Sequence, residues 1–137
     1  MYALSVMQPW AALIVLGVKR IETRPWRTGF RGRLGVHASS TRPSNFDDLC
    51  CREPVRSALL AAPWNRPPRG VLLGTVEVCD CVRVEELEAL SEQERSLGDF
   101  GPGRWAWLLA DPRPLPWLIP LRGRLGVFEI GNELGVG

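Results

Sequence analysis

Lysine is almost missing from this chain of 137 residues: sixteen of its 17 basic residues are arginine, and Lys19 stands alone. Histidine occurs once, as His37, so a centre built from several imidazoles is excluded. The four cysteines form no Cys-x-x-Cys: Cys50 and Cys51 are adjacent, and Cys79 and Cys81 are two apart. That spacing argues against zinc, and no metal and no cofactor is expected. On a regular strand Cys79 and Cys81 point to one face, which reads as a buried reduced pair. Long apolar runs are also absent. The longest covers residues 10–18 and ends at Lys19, well short of the roughly 20 residues a membrane helix needs. No basic segment precedes it, so no secretory signal, reduced thiols and a cytoplasmic location are expected. The formal net charge is only +2, too small by itself to drive sequence-independent binding to nucleic acid. Neither a phosphate-binding Gly-x-x-x-x-Gly-Lys nor a Gly-x-Ser-x-Gly elbow occurs.

What is present is an ordinary globular balance, 45% hydrophobic and 23% charged, which fits one domain over residues 1–130 with a short tail at 131–137. Residues 3–6 read as an opening strand. Pro9 suits a helix start, the apolar run through Leu16 continues it, and Gly17 stops it. Residues 18–24 alternate as a strand or extended loop, and 33–39 as a second strand, with Leu34, Val36 and Ala38 on one face. Ser44 is placed to cap a helix, and residues 53–62 form another. The Pro- and Arg-rich 63–70 read as an exposed loop. Residues 71–84 are the strongest strand, with Gly74 a candidate bulge. Residues 85–90 look helical, and Ser91 with Glu94 matches a capping box. Residues 104–110 form a strand, 111–116 a proline-rich connection, and 117–122 and 124–130 the last strands. The segment Arg31–Val36 recurs as Arg122–Val127, and both copies read as turn-to-strand entries. Strands outnumber helices and do not alternate with them, so the chain is expected to be α+β. The expected form is a small, partly closed β-barrel of five to six strands, with an N-terminal helix and further short helices around it.

The candidate chemistry clusters near the first helix. A lysine beside a carboxylate can pair statically or be tuned by burial into a base or nucleophile, which arginine cannot. Lys19 and Glu22 are that pair, although a strict strand would turn them to opposite faces. Gln8, Trp10, Arg24 and Trp26 are the residue types of a nucleobase site: rings stack while an amide and a guanidinium read the base edge. His37 and Ser39 point away from Leu34 and Val36 and are candidates to line the same cleft. Arg24, Arg27, Arg31 and Arg33 are interleaved with Trp26 and Phe30, a pattern that suits a single-stranded backbone. Arg66, Arg69 and Arg104 would extend it, with the acidic residues 85–94 on another surface.

Taken together, Leu4-Ser-Val-Met-Gln-Pro-Trp10, the apolar helix, Gly17-Val-Lys19 and Ile21-Glu-Thr-Arg24 resemble one known family. So do Trp26, Arg31-Gly32, Val36-His-Ala-Ser39, Gly103-Arg-Trp-Ala-Trp107 and Pro120-x-x-Gly-x-x-Gly126. This is the ASCH (activating signal cointegrator homology) domain of the PUA-like superfamily, and the resemblance covers roughly residues 3–130. It implies a PUA-like barrel with a helix near its mouth and a cleft that takes RNA or a nucleotide. Gln8, Trp10, Arg24, Trp26, Arg31, His37, Ser39 and Arg104 would be the binding residues. Some members of the family cleave RNA, and one subfamily removes the acetyl group of acetylcytidine. The alternative reading is therefore a hydrolase, a metal-independent ribonuclease or an amidohydrolase on a modified base, with Lys19 and Glu22 catalytic. That subfamily carries threonine at the third position after its lysine, where this chain has Glu22 and only then Thr23. A third reading is an adaptor with an exposed tryptophan surface.

Overall fold

The computed structural model describes residues 1–131, so most of the expected tail lies outside the described residues. The strands are β1 (Tyr2–Val6), β2 (Ile21–Arg24), β3 (Gly32–Ala38), β4 (Val71–Arg83), β5 (Trp105–Pro120) and β6 (Val127–Glu129). The helices are α1 (Trp10–Val15), α2 (Phe46–Cys51), α3 (Val55–Ala61) and α4 (Glu92–Ser96). One curled, six-stranded sheet runs β2-β5-β4-β3-β1-β6, parallel only between β1 and β3. The architecture is α+β and PUA-like, an open half-barrel with α1 packed into it.

Alternation along the strands explains how the core is divided. Leu4, Val6, Leu34, Val36, Val76 and Trp107 meet Ala11, Ala12, Ile14 and Val15 of α1 on the concave side. The opposite side carries a smaller cluster of Ala3, Leu72, Phe128 and Ile130. Helix α1 is only six residues long, and its residues Ala11–Val15 are all buried. A helix that short has little stability of its own and holds through packing. Gly17 ends it with a φ of +79°, a conformation only glycine adopts without cost. The turn lets the N–H groups of Val18 and Lys19 both donate to Leu13 O, each at 3.0 Å. Lys19 therefore sits ahead of β2, free of strand alternation.

Several expectations change. The proline-rich 111–116 is no connection: β5 runs unbroken for 16 residues. β2 pairs only with Trp105–Leu108, so the rest of β5 has an uncovered edge where prolines remove no ladder bond. Pro112, Pro114 and Pro116 share one parity, which directs their missing N–H groups to one side. The separate strand expected at 117–122 belongs to β5, and that at 124–130 shrinks to β6. Residues 85–90 form only a single 3-10 turn at Val84–Glu86. Ser44 does not cap α2; Asn45 holds that place without a side-chain cap bond. The pairing of β4 with β5 shifts between Val78 and Asp80, so Cys79 is exposed while Cys81 is buried; they do not share a face. The two Arg-Gly copies also differ: the first runs into β3, whereas the second forms the loop before β6.

Candidate functional site

A hollow of about 560 Å³ opens where the start of α1, β2, the segment after α4 and the start of β5 converge. Lys19 is 2% exposed. Its Nζ donates to Leu97 O at 2.7 Å and lies 3.7 Å from Glu22 Oε1. Burial pushes its amine below the usual 10.5, opposed by the negative charges of Glu22 and Glu94. The other carboxylate oxygen of Glu22 accepts from Arg24 Nε at 3.0 Å, and Arg24 Nη2 donates to Ser5 O at 2.9 Å. Amine, carboxylate and guanidinium thus form one chain of contacts along one wall.

The opposite wall is built from backbone. Leu97 packs with Leu13 and Val55, which fixes its carbonyl over Lys19. Gly98 leaves the room: a Cβ there would lie 3.2 Å from Lys19 Nζ. Thr23 Oγ1 donates to Asp99 O at 2.7 Å, and Arg104 bridges the two walls through Nε to Asp99 O at 3.0 Å and Nη2 to Thr23 O at 3.0 Å.

Of the ten residues singled out in the sequence, Trp10, Lys19, Glu22, Arg24, Ser39 and Arg104 line this hollow. Four lie outside it. Gln8 is fully buried; its Oε1 accepts from Ala12 N and its Nε2 donates to Pro68 O. That amide ties α1 to the proline-rich loop, away from the lining of this hollow. His37 is 1% exposed, with Nδ1 bonded to Ser5 Oγ and Nε2 to Leu121 O. Burial holds its ring below the usual histidine value. Trp26 stacks edge-on against Trp107 at 5.1 Å, and Arg31 is held by Thr28 O, Phe30 O and Asp80. The arginine run beside them is largely neutralised, since Arg33 pairs with Glu77 and Asp111.

Sequence reasoning missed the far wall. Leu97, Gly98 and Asp99 act through backbone atoms and small size, which no residue-type pattern announces. None of the acidic residues 85–94 lines the hollow, but the last residue of α4 and the chain just after it, residues 96–99, do. The capping box gave half a signal. Ser91 Oγ does accept from Glu94 N at 3.0 Å, but the Glu94 carboxylate reaches across to Arg20 N at 2.9 Å and Ile21 N at 3.3 Å. It anchors β2 to α4. Glu94→Ala strands two backbone donors, and a loss of about 2–3 kcal/mol is expected in chemical denaturation. Faster amide exchange at residues 20 and 21 is the local signature, and unchanged exchange there would refute the anchor.

The comparisons with known proteins agree with one another. The model of the ASCH domain matches residues 4–119. Activating signal cointegrator 1 from Mus musculus and from Homo sapiens is each 30% identical over 99% of this chain. The chain spans only 23% of the length of either relative. Among solved structures, the ASCH protein of Zymomonas mobilis aligns with a TM-score of 0.54 at 17% identity, covering 96% of this chain and 88% of that one. A point mutant of it gives 0.53 at 18% identity, covering 96% and 89%. That likeness concerns the fold alone.

Proposed function

The chain belongs to the ASCH domain family, and on that premise we propose that its hollow binds a nucleotide unit of single-stranded RNA. The observation that carries this reading is the lining itself. Trp10 and Met7 offer apolar surface, while Lys19, Arg24 and Arg104 set three cations against the carboxylates of Glu22 and Asp99. The volume, about 560 Å³, lies within the range of small-ligand sites. Stacking on an aromatic wall with polar contacts to a base edge is how single strands are held. A labelled single-stranded oligonucleotide should bind the wild type with an affinity that falls as salt rises. Arg24→Ala should weaken it about tenfold, a loss of about 1.4 kcal/mol. No binding by the wild type at low salt, or equal binding by Arg24→Ala, would overturn the reading.

One observation favours a second reading, a hydrolase in the same hollow: Lys19 is a buried amine with a lowered pKa beside a carboxylate. Lys19→Arg keeps a cation but cannot supply a neutral amine. Among folded variants, a binder tolerates this change, whereas an enzyme that titrates Lys19 loses turnover of RNA or acetylated cytidine.

A further inference from the structure

A second hollow, about 380 Å³, lies beside the first and shares Ser5 and Ser39 with it as a common ridge. Its character differs. Among the described residues no carboxylate lines it, and its rim carries Arg122 and Arg124 with the hydroxyls of Ser39, Ser40 and Thr41. Both arginines are exposed, and neither makes an ion pair with any described residue. By contrast Arg24, Arg31, Arg33 and Arg104 are all paired with acids. Guanidinium groups with no acidic partner among the described residues, on a rim that no described carboxylate lines, present a field that favours an anion.

The loop that bears them is pinned. His37 Nε2 faces Leu121 O, a carbonyl that can only accept, so Nε2 carries the proton and Nδ1 accepts from Ser5 Oγ. Gly123 comes down directly on this dyad: a Cβ there would fall on Ser5 Oγ and lie 2.8 Å from His37 Cε1. Arg122 and Arg124 flank that glycine, so their backbone is held against the half-buried Ser5 and the buried His37 before any ligand arrives. Preorganisation of this kind lowers the ordering cost of binding.

We propose that the second hollow is a phosphate subsite, which takes the phosphate next to the nucleoside seated in the first hollow. This rests on the binding role proposed above and sharpens it: the preferred ligand carries a phosphate on the side of the shared Ser5–Ser39 ridge. The test compares uridine, uridine monophosphate and a short oligouridylate on the wild type, Arg122→Ala/Arg124→Ala and Arg122→Lys/Arg124→Lys. The alanine pair is expected to weaken both phosphorylated ligands about tenfold and leave uridine unchanged. For the oligonucleotide, the slope of log affinity against log salt should fall by about 1.4, the value for two lost contacts to a single strand. The lysine pair should retain the salt slope. If the wild type binds none of the three, the binding role itself fails. If the wild type binds the oligonucleotide and the alanine pair matches it in affinity and salt slope, only the phosphate subsite is overturned; equal loss for uridine overturns it too.

Discussion

Glu22→Gln is expected to destabilise the protein by about 2–4 kcal/mol at neutral pH, far more than an exposed ion pair is worth. The reason is the burial of Lys19, whose side chain is 1% exposed against 12% for Glu22. Removing the carboxylate leaves an ammonium with one hydrogen bond to Leu97 O and the more distant charge of Glu94. Deprotonation sets a ceiling. Each unit by which the amine falls below 10.5 corresponds to about 1.4 kcal/mol, so at pH 7 the penalty cannot exceed about 5 kcal/mol. The pH dependence follows. The unfolded chain keeps the ordinary lysine value, and the folded value is lowered in the wild type and lowered further in the variant. Between folded and unfolded values the unfolded state holds the extra proton, so stability rises with pH across that window. The window reaches to lower pH in Glu22→Gln, so its deficit narrows on passing from neutral to alkaline solution. Urea denaturation at neutral pH and again above about pH 9 reads this directly. A second substitution, Lys19→Met, in the Glu22→Gln background should recover part of the loss, because the uncompensated charge is gone. A deficit below about 0.5 kcal/mol that does not change with pH would mean the pair is effectively solvated.

The same contact shows what the sequence could convey. Lys19 and Glu22 were legible as residue types, because a lone lysine among arginines beside a carboxylate has a chemistry arginine lacks. Their meeting was not, because period-2 alternation separates positions 19 and 22. It arises from the Gly17 turn and the two amides gathered on Leu13 O, which take Lys19 out of the strand register. The strands over 33–39 and 71–84 were readable because β-branched and apolar residues alternate there. The continuity of β5 was hidden by its prolines, whose tolerance depends on how little of that strand β2 covers. Gln8 and His37 have side chains typical of a ligand site, but the fold engages them with Pro68, Ala12, Ser5 and Leu121. A sequence gives a polar group's capacity, and only the fold says how much of it remains.

Gly74→Ala should be the most damaging single methyl added to the sheet. The sequence marks Gly74 as a candidate bulge; against β3 the extra residue is its neighbour Leu73, since Val36 pairs with Gly74 and His37 with Leu72, while against β5 the extra residues lie on β5 between Pro114 and Ile119. A Cβ at this position would lie 2.5 Å from Arg113 O, 2.9 Å from Val15 Cγ1 and 3.0 Å from Pro114 Cα. Two of those three atoms are backbone of β5, which cannot swing aside as a flexible side chain can. The third belongs to α1, so the methyl is caught between strand and helix. Relief requires β5 to move off β4, and an overpacking cost of about 2–4 kcal/mol is expected. For a domain of this size that lowers the melting temperature by about 10 °C. Gly29→Ala is the matched control, since no atom lies within 4 Å of a Cβ there and its φ is not positive; its effect should stay within about 0.5 kcal/mol. The consequence extends to the site, because β5 also carries Trp105–Leu108, the partners of β2. A displaced β5 shifts Glu22 and Arg24 relative to the chain after α4, so nucleotide affinity should fall along with stability. If Gly74→Ala melts with the wild type, the two strands do not approach as closely as this register requires, and the placement of β2 derived from it fails as well.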